Sequence, residues 1–244
     1  IVTGVQTCAL PISDNYLVAQ CFYAYNTQIM IKAATLLGKT DEVQEYKALL
    51  ERIKKAFQIE YMTASGKLIS ETQTAYILAL QFDMLPENLR AQAVDRLVKN
   101  IESYEYHLTT GFLGTPFLNP VLTRFGRNDV SYKLLLQDTY PSWLYPIKAH
   151  GATTIWERWD AIREDGSIHK GEMATSSEEQ PDASMISFNH YAYGAVIDWV
   201  YRNVAGIAPT AKNPGYRHIT FAPRPGEGFT FASASVDTPL GNAS

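Results

Sequence analysis

The 244-residue sequence is short of cysteine, of clustered positive charge and of unbroken apolar runs, and each shortage removes a class of function. Its two cysteines, Cys8 and Cys21, are too few for a disulfide framework, and no Cys and His residues share the spacing of a zinc site. His107, His150, His169 and His218 likewise lack metal-site spacing, and Ser142 stands in no nucleophile elbow. No metal, cofactor or redox chemistry is therefore expected. The net charge of -4 comes from interspersed charges, so no basic stripe offers itself to a phosphate backbone, and nucleic acid is not an expected partner. The longest apolar candidate, Leu17 to Leu37, is interrupted by Tyr, Gln, Asn, Thr and Lys. It does not supply the roughly 20 apolar residues that cross a bilayer, and a membrane is not an expected partner either.

What the sequence does contain is apolar and aromatic material, 46% and 12% of its residues, enough for a substantial core. The opening residues 1–12 stand apart. They lack the charged start of a secretory signal and show no helical or strand periodicity. They resemble the translation of a sequencing-adapter oligonucleotide, so the native chain is expected to begin near Ser13, truncated upstream. The compartment is left open.

From Tyr16 to Leu37 apolar residues recur at three- and four-residue steps, with Gly38 as C-cap, and Asp41 to Phe57 reads as a second, amphipathic helix. Ser70-Glu71-Thr72-Gln73 opens a third helix that stops near Pro86, and Glu87 to Ile101 supplies a fourth, so helices arrive in pairs. The Gly-, Thr- and Pro-rich run Thr109 to Pro116 predicts a loop feeding a helix from Phe117 to Phe125. Shorter helices are predicted at Asn128 to Gln137 and Ser142 to Lys148, and a longer one at Asn189 to Val204. Between them the polar stretch Arg163 to Ser184 reads as an exposed excursion. After Gly206 the period changes to two, in Tyr216 to Phe221 and Phe229 to Val236, which predicts the first strands of a β domain too short to close a sandwich.

Three clusters carry candidate chemistry. In Gly151 to Asp160 a carboxylate, Glu157, lies between two indoles, Trp156 and Trp159. Sugar rings stack their C–H faces on aromatic rings and present hydroxyls to charged or amide groups, so the pattern suits a glycoside site. Spacing alone equally suits core indoles one helical turn apart, with Glu157 pairing an Arg to cap the helix. In Ser187 to Gly194, Asn189 and His190 are candidate ligand contacts; the alternative is an Asn helix cap with His190 serving a buried carbonyl. Tyr191 and Tyr193 cannot both face one side of a helix. The third cluster, Tyr140 to Pro146 with Trp143 at its centre, reads as either a pocket wall or core packing.

Five runs carry a resemblance. Thr110-Gly111-Phe112-Leu113-Gly114-Thr115-Pro116, Thr139-Tyr140-Pro141-Ser142-Trp143, Gly151-Ala152-Thr153-Thr154-Ile155-Trp156-Glu157-Arg158-Trp159, Ser187-Phe188-Asn189-His190-Tyr191 and Pro214-Gly215-Tyr216-Arg217-His218-Ile219 follow one another in the order seen in family 78 glycoside hydrolases. The sequence thus resembles the α-L-rhamnosidases. The resemblance implies a mainly α fold: a partial (α/α)6 toroid over 13–207, then a truncated β-sandwich over 208–244. It also implies hydrolysis of terminal non-reducing α-L-rhamnose with inversion, and a rhamnose-containing glycoside or polysaccharide as partner. Glu157 matches the family's general base and His190 a substrate-binding histidine; Trp143, Trp156, Trp159 and Asn189 join them as expected substrate contacts.

Two departures stand out. The family's general acid lies in an Asp- and Arg-rich motif that this sequence does not contain, and the stretch from Asp160 to Ser187 is extended, adding Glu178, Glu179 and Asp182. An inverting glycosidase needs both carboxylates, so this chain by itself is expected to be nearly inert. The readings carried alongside are a non-catalytic carbohydrate-binding protein and another (α/α)6 sugar-active enzyme.

Overall fold

The computed structural model describes residues 13–168, 186–210 and 212–244. They fall into two compact units, divided between Phe125 and Gly126. The expected excursion lies largely outside the described residues, as do the adapter-like start and Glu178, Glu179 and Asp182.

The first unit is built from helical hairpins. Helix α1 (Asn15–Leu36) starts where the Asp14 carboxylate accepts from the Leu17 N–H at 2.8 Å, and buries Leu17, Cys21, Ala24, Thr27 and Ala34 at helical spacing. It ends at Gly38, whose φ of +68° reverses the chain into α2 (Thr40–Tyr61). Phe57 and Tyr61 of α2 contact each other at 5.4 Å between ring centroids. Burial pushes the Cys21 thiol up to about 12, which keeps it protonated and unreactive.

Helix α3 (Gln73–Gln81) is capped by Thr72, whose hydroxyl accepts from the Ala75 N–H at 3.1 Å. It is buried almost all round, from Ala75 to Leu80. Such a helix is stable only inside a core, and α1, α4 (Glu87–Ser103) and α5 (Thr115–Arg124) pack against it. Glutamine side chains tie the helices to loop carbonyls: Gln28 donates to Phe82 O at 2.8 Å and Gln58 to Met84 O at 2.9 Å. The helix expected from Phe117 begins at Thr115, because Pro116 is tolerated in a first turn where no N–H is needed. Just before it, a Cβ on Gly114 would stand 2.7 Å from the Thr74 hydroxyl, so only glycine allows this approach.

The second unit has shorter elements: α6 (Asn128–Leu136), α7 (Tyr145–His150) and a helical run from Ala192 to Val204. That run starts as a 3-10 turn (Ala192–Ala195), continues as α8 (Val196–Trp199) and widens into a π turn (Val200–Val204). Residues 189–191 are not helical, so the helix expected from Asn189 starts later. That segment is instead tied elsewhere: the Asn189 N–H donates to Ser187 Oγ at 3.1 Å and the His190 N–H to Ile155 O, 35 residues earlier, at 2.7 Å. Tyr132, Trp199 and Val204 form one buried cluster of this unit, with Leu135 and Val200 against it. Tyr132 meets Trp199 edge-on at 5.4 Å and donates from its hydroxyl to Arg224 O at 2.6 Å.

Two small antiparallel sheets follow, β1 (Ile207–Pro209) with β2 (Ile219–Phe221) and β3 (Val236–Thr238) with β4 (Gly241–Ala243). Strand β2 is the end of the expected Tyr216 to Phe221 strand, whereas β1 gives too short a pattern to be read from sequence. Phe229 to Ser235 is not a strand. Its alternating side chains have no ladder partner among the described residues, and alternation by itself does not make a strand. The described residues are thus mainly helical, with a few strands at the end.

Candidate functional site

The segment 151–161 is irregular backbone, which overturns the reading of Trp156 and Trp159 as neighbours on a helix with Glu157 as its cap. Both indoles are nevertheless buried, held by other aromatic rings. Trp159 stacks on Tyr193, centroids 3.8 Å apart and planes within 5°, and meets Trp143 edge-on at 5.6 Å. Trp143 in turn donates from Nε1 to Tyr193 O at 2.9 Å, which satisfies its one polar atom. Trp156 packs edge-on against Phe188 at 5.3 Å and lies 5.8 Å from His150, whose Nε2 is 3.0 Å from the Tyr145 hydroxyl.

These rings border an open cavity of about 240 Å3, lined by Trp143, Trp156, Trp159, Tyr193, Arg158 and Thr153 to Ile155. The lining is mostly apolar, with polar groups at the Thr residues and Arg158. That is the composition of a site for a small, partly apolar ring. Arg158 is held by Asp160, Nε to Oδ1 at 3.0 Å, and Asp160 is itself buried. Burial raises the Tyr193 phenol above its ordinary range, so its hydroxyl remains a neutral donor and acceptor.

Glu157 does not line this cavity. It is half-buried beside it, where its Oε2 accepts from the Ser187 N–H at 2.7 Å. Its own N–H donates to Ser187 O at 2.9 Å, so residue 157 is clasped to residue 187 by both backbone and side chain. A carboxylate has capacity for further donors, including a water, on its remaining lone pairs. His190 joins the clasp through its N–H to Ile155 O, and its Nδ1 accepts from the Ala192 N–H at 3.3 Å. Asn189 does not cap the following helical turn, whose N-cap position is Tyr191.

The expected site residues fall into two neighbouring groups. Trp143, Trp156 and Trp159 line the cavity, while Glu157 and His190 are brought together by the 155–157 and 187–190 segments. Asn189 is exposed beside them. The tyrosine ambiguity resolves as Tyr191 86% exposed and Tyr193 4% exposed. Sequence reasoning did not pick out Arg158, Thr154, Ser187 or the ring-on-ring role of Tyr193. Arg158, Thr154 and Ser187 lie in irregular backbone, where no periodicity marks which side chain faces which, and Tyr193 lies in a single 3-10 turn too short to show one. Among the described residues no group of three or more His, Cys, Asp or Glu could hold a metal ion. No helix among them is long and apolar enough to cross a membrane.

Residues 10–204 match the bacterial alpha-L-rhamnosidase 6 hairpin glycosidase domain, and residues 206–244 the bacterial alpha-L-rhamnosidase C-terminal domain. The chain is 47% identical over 218 residues to an alpha-L-rhamnosidase of Streptomyces avermitilis, covering 89% of this chain and 20% of that protein. It is 41% identical over 231 residues to one from Formosa agariphila, covering 94% and 23%. Among solved structures, that of the Streptomyces avermitilis enzyme complexed with L-rhamnose is similar with a TM-score of 0.82 at 46% identity, over 93% of this chain and 20% of that one. The native Aspergillus terreus enzyme gives 0.85 at 34% identity, over 94% and 25%. The chain therefore spans about a fifth to a quarter of the length of these relatives. Family models matching nearly its whole length, together with the shared fold, establish that the chain belongs to the bacterial α-L-rhamnosidase six-hairpin glycosidase family.

Proposed function

We propose that the protein to which this chain belongs hydrolyses terminal non-reducing α-L-rhamnose from a rhamnose-containing glycoside or polysaccharide, with inversion, and that Glu157 is its general base. The observation that carries this reading is the Glu157 carboxylate held on one oxygen by the Ser187 N–H beside an aromatic cavity. A base that activates water must be fixed in direction yet keep acceptor capacity for that water, and a single backbone donor does both.

In this reading Trp143, Trp156 and Trp159 supply the apolar wall for a sugar ring. His190, whose Nδ1 accepts from the Ala192 N–H, is the hydroxyl-binding histidine of this reading, with Asn189 next to it at the rim. The matching general acid must protonate the leaving oxygen on the other face of the sugar, on the order of 6.5–9.5 Å from the base. This sequence contains no acid motif of the family's kind, so residues 13–244 alone are expected to release no rhamnose.

The test is Glu157→Gln in protein expressed from a complete reading frame, assayed on an aryl α-L-rhamnoside. Turnover is expected to fall on the order of 10²- to 10⁴-fold with the melting temperature little changed. The anomer first released by the unaltered enzyme, read by proton NMR, is expected to be β. Near-normal turnover in the variant removes Glu157 from its role, and a first-formed α anomer removes inversion.

A further inference from the structure

We propose that Thr154 is a positioning residue for Glu157, acting through the segment 186–190; the inference rests on the reading of Glu157 as general base. The Thr154 hydroxyl donates to the carbonyl of Phe188, 34 residues away in sequence. Threonine hydroxyls in irregular backbone ordinarily bond to their own or adjacent peptide groups, and this one instead spans two separate segments.

The two segments it joins form no regular ladder. Their register is set by the Glu157 N–H on Ser187 O, the His190 N–H on Ile155 O and the Thr154 hydroxyl on Phe188 O. Phe188 is the residue between the two that matter: Ser187 supplies the N–H that holds the Glu157 carboxylate, and His190 follows two residues later. The Phe188 ring is also seated against Trp156 at 5.3 Å, so the hydroxyl and the ring fix the carbonyl and the side chain of one residue. Removing the hydroxyl leaves that carbonyl without its cross-segment donor and frees the 187–190 backbone to shift. A shift of the Ser187 N–H turns the Glu157 carboxylate, and misplacement on the order of 1 Å costs about 100-fold in a reaction that depends on alignment.

The experiment compares Thr154→Val, Thr154→Ser and Glu157→Gln in protein from the complete reading frame, with aryl α-L-rhamnoside kinetics and thermal melting. Thr154→Val is expected to lower kcat on the order of 10- to 100-fold with KM within about twofold, and Thr154→Ser to restore most of kcat. If Thr154→Val keeps full kcat while Glu157→Gln is inactive, the positioning role is wrong and the base reading stands. A raised KM at unchanged kcat makes Thr154 a substrate contact and overturns the inference. So does a Ser variant as impaired as the Val variant, because the hydroxyl is then not the agent. An active Glu157→Gln variant removes the base reading itself, whatever the Thr154 variants do.

Discussion

The hairpin unit and the site-bearing unit are held together in different ways. In residues 13–125 long helices bury periodic stripes, with Leu17, Cys21 and Ala24 of α1 and Leu97, Val98 and Ile101 of α4 packed at helical spacing. In residues 126–244 much of the organisation comes from single contacts between irregular segments: the Trp159 stack on Tyr193, the Trp143 bond to Tyr193 O, the clasp of Glu157 on Ser187. Burial along a helix is redundant, since neighbouring turns share the load. A clasp is not redundant, and its loss moves a functional group. Loops positioned by a scaffold are where directed side chains are to be expected, and this chain divides its labour accordingly.

That contrast is broken most directly by comparing Glu157→Gln with Phe57→Ala. Phe57 is fully buried in α2, so its truncation is expected to cost about 3–5 kcal/mol of stability. A lower melting temperature with kcat and KM per folded molecule unchanged would fit; an altered KM would show that the two units are not functionally separable. Trp159→Ala should fall between, losing both a buried stack and a cavity wall: a rise in KM on the order of tenfold accompanied by a lower melting temperature. Loss of stability with unchanged KM would make Trp159 core alone. Smallest is Thr72→Ala, which removes the α3 cap for about 1 kcal/mol and should leave kinetics untouched. A Thr72→Ala variant that melts like the parent would mean that the helix is held by its packing alone.

The same contrast sorts what was legible in the sequence. Helices α1 to α4 were readable, within a few residues at their ends, from apolar spacing, Thr72 and Gly38. The strand expected at Phe229 to Val236 is met only at its last residue, where β3 begins, because alternation has no meaning until a partner strand pairs with it. At the candidate site, residue types and motif order singled out Glu157, His190 and the indoles, but left open whether the indoles and Glu157 belonged to a helix, and placed His190 on a helix that starts only after it.

What the amino-acid order determined by itself is the set of hairpin helices and the family, because helix periodicity is local and motif order is carried along the chain. What only the tertiary structure decided is what each group of the 153–158 segment meets. The indoles and Arg158 face a cavity, while Glu157 turns to the backbone of Ser187. The physical reason is that a carboxylate in irregular backbone takes its direction from whichever distant N–H is brought to it, here one 30 residues away.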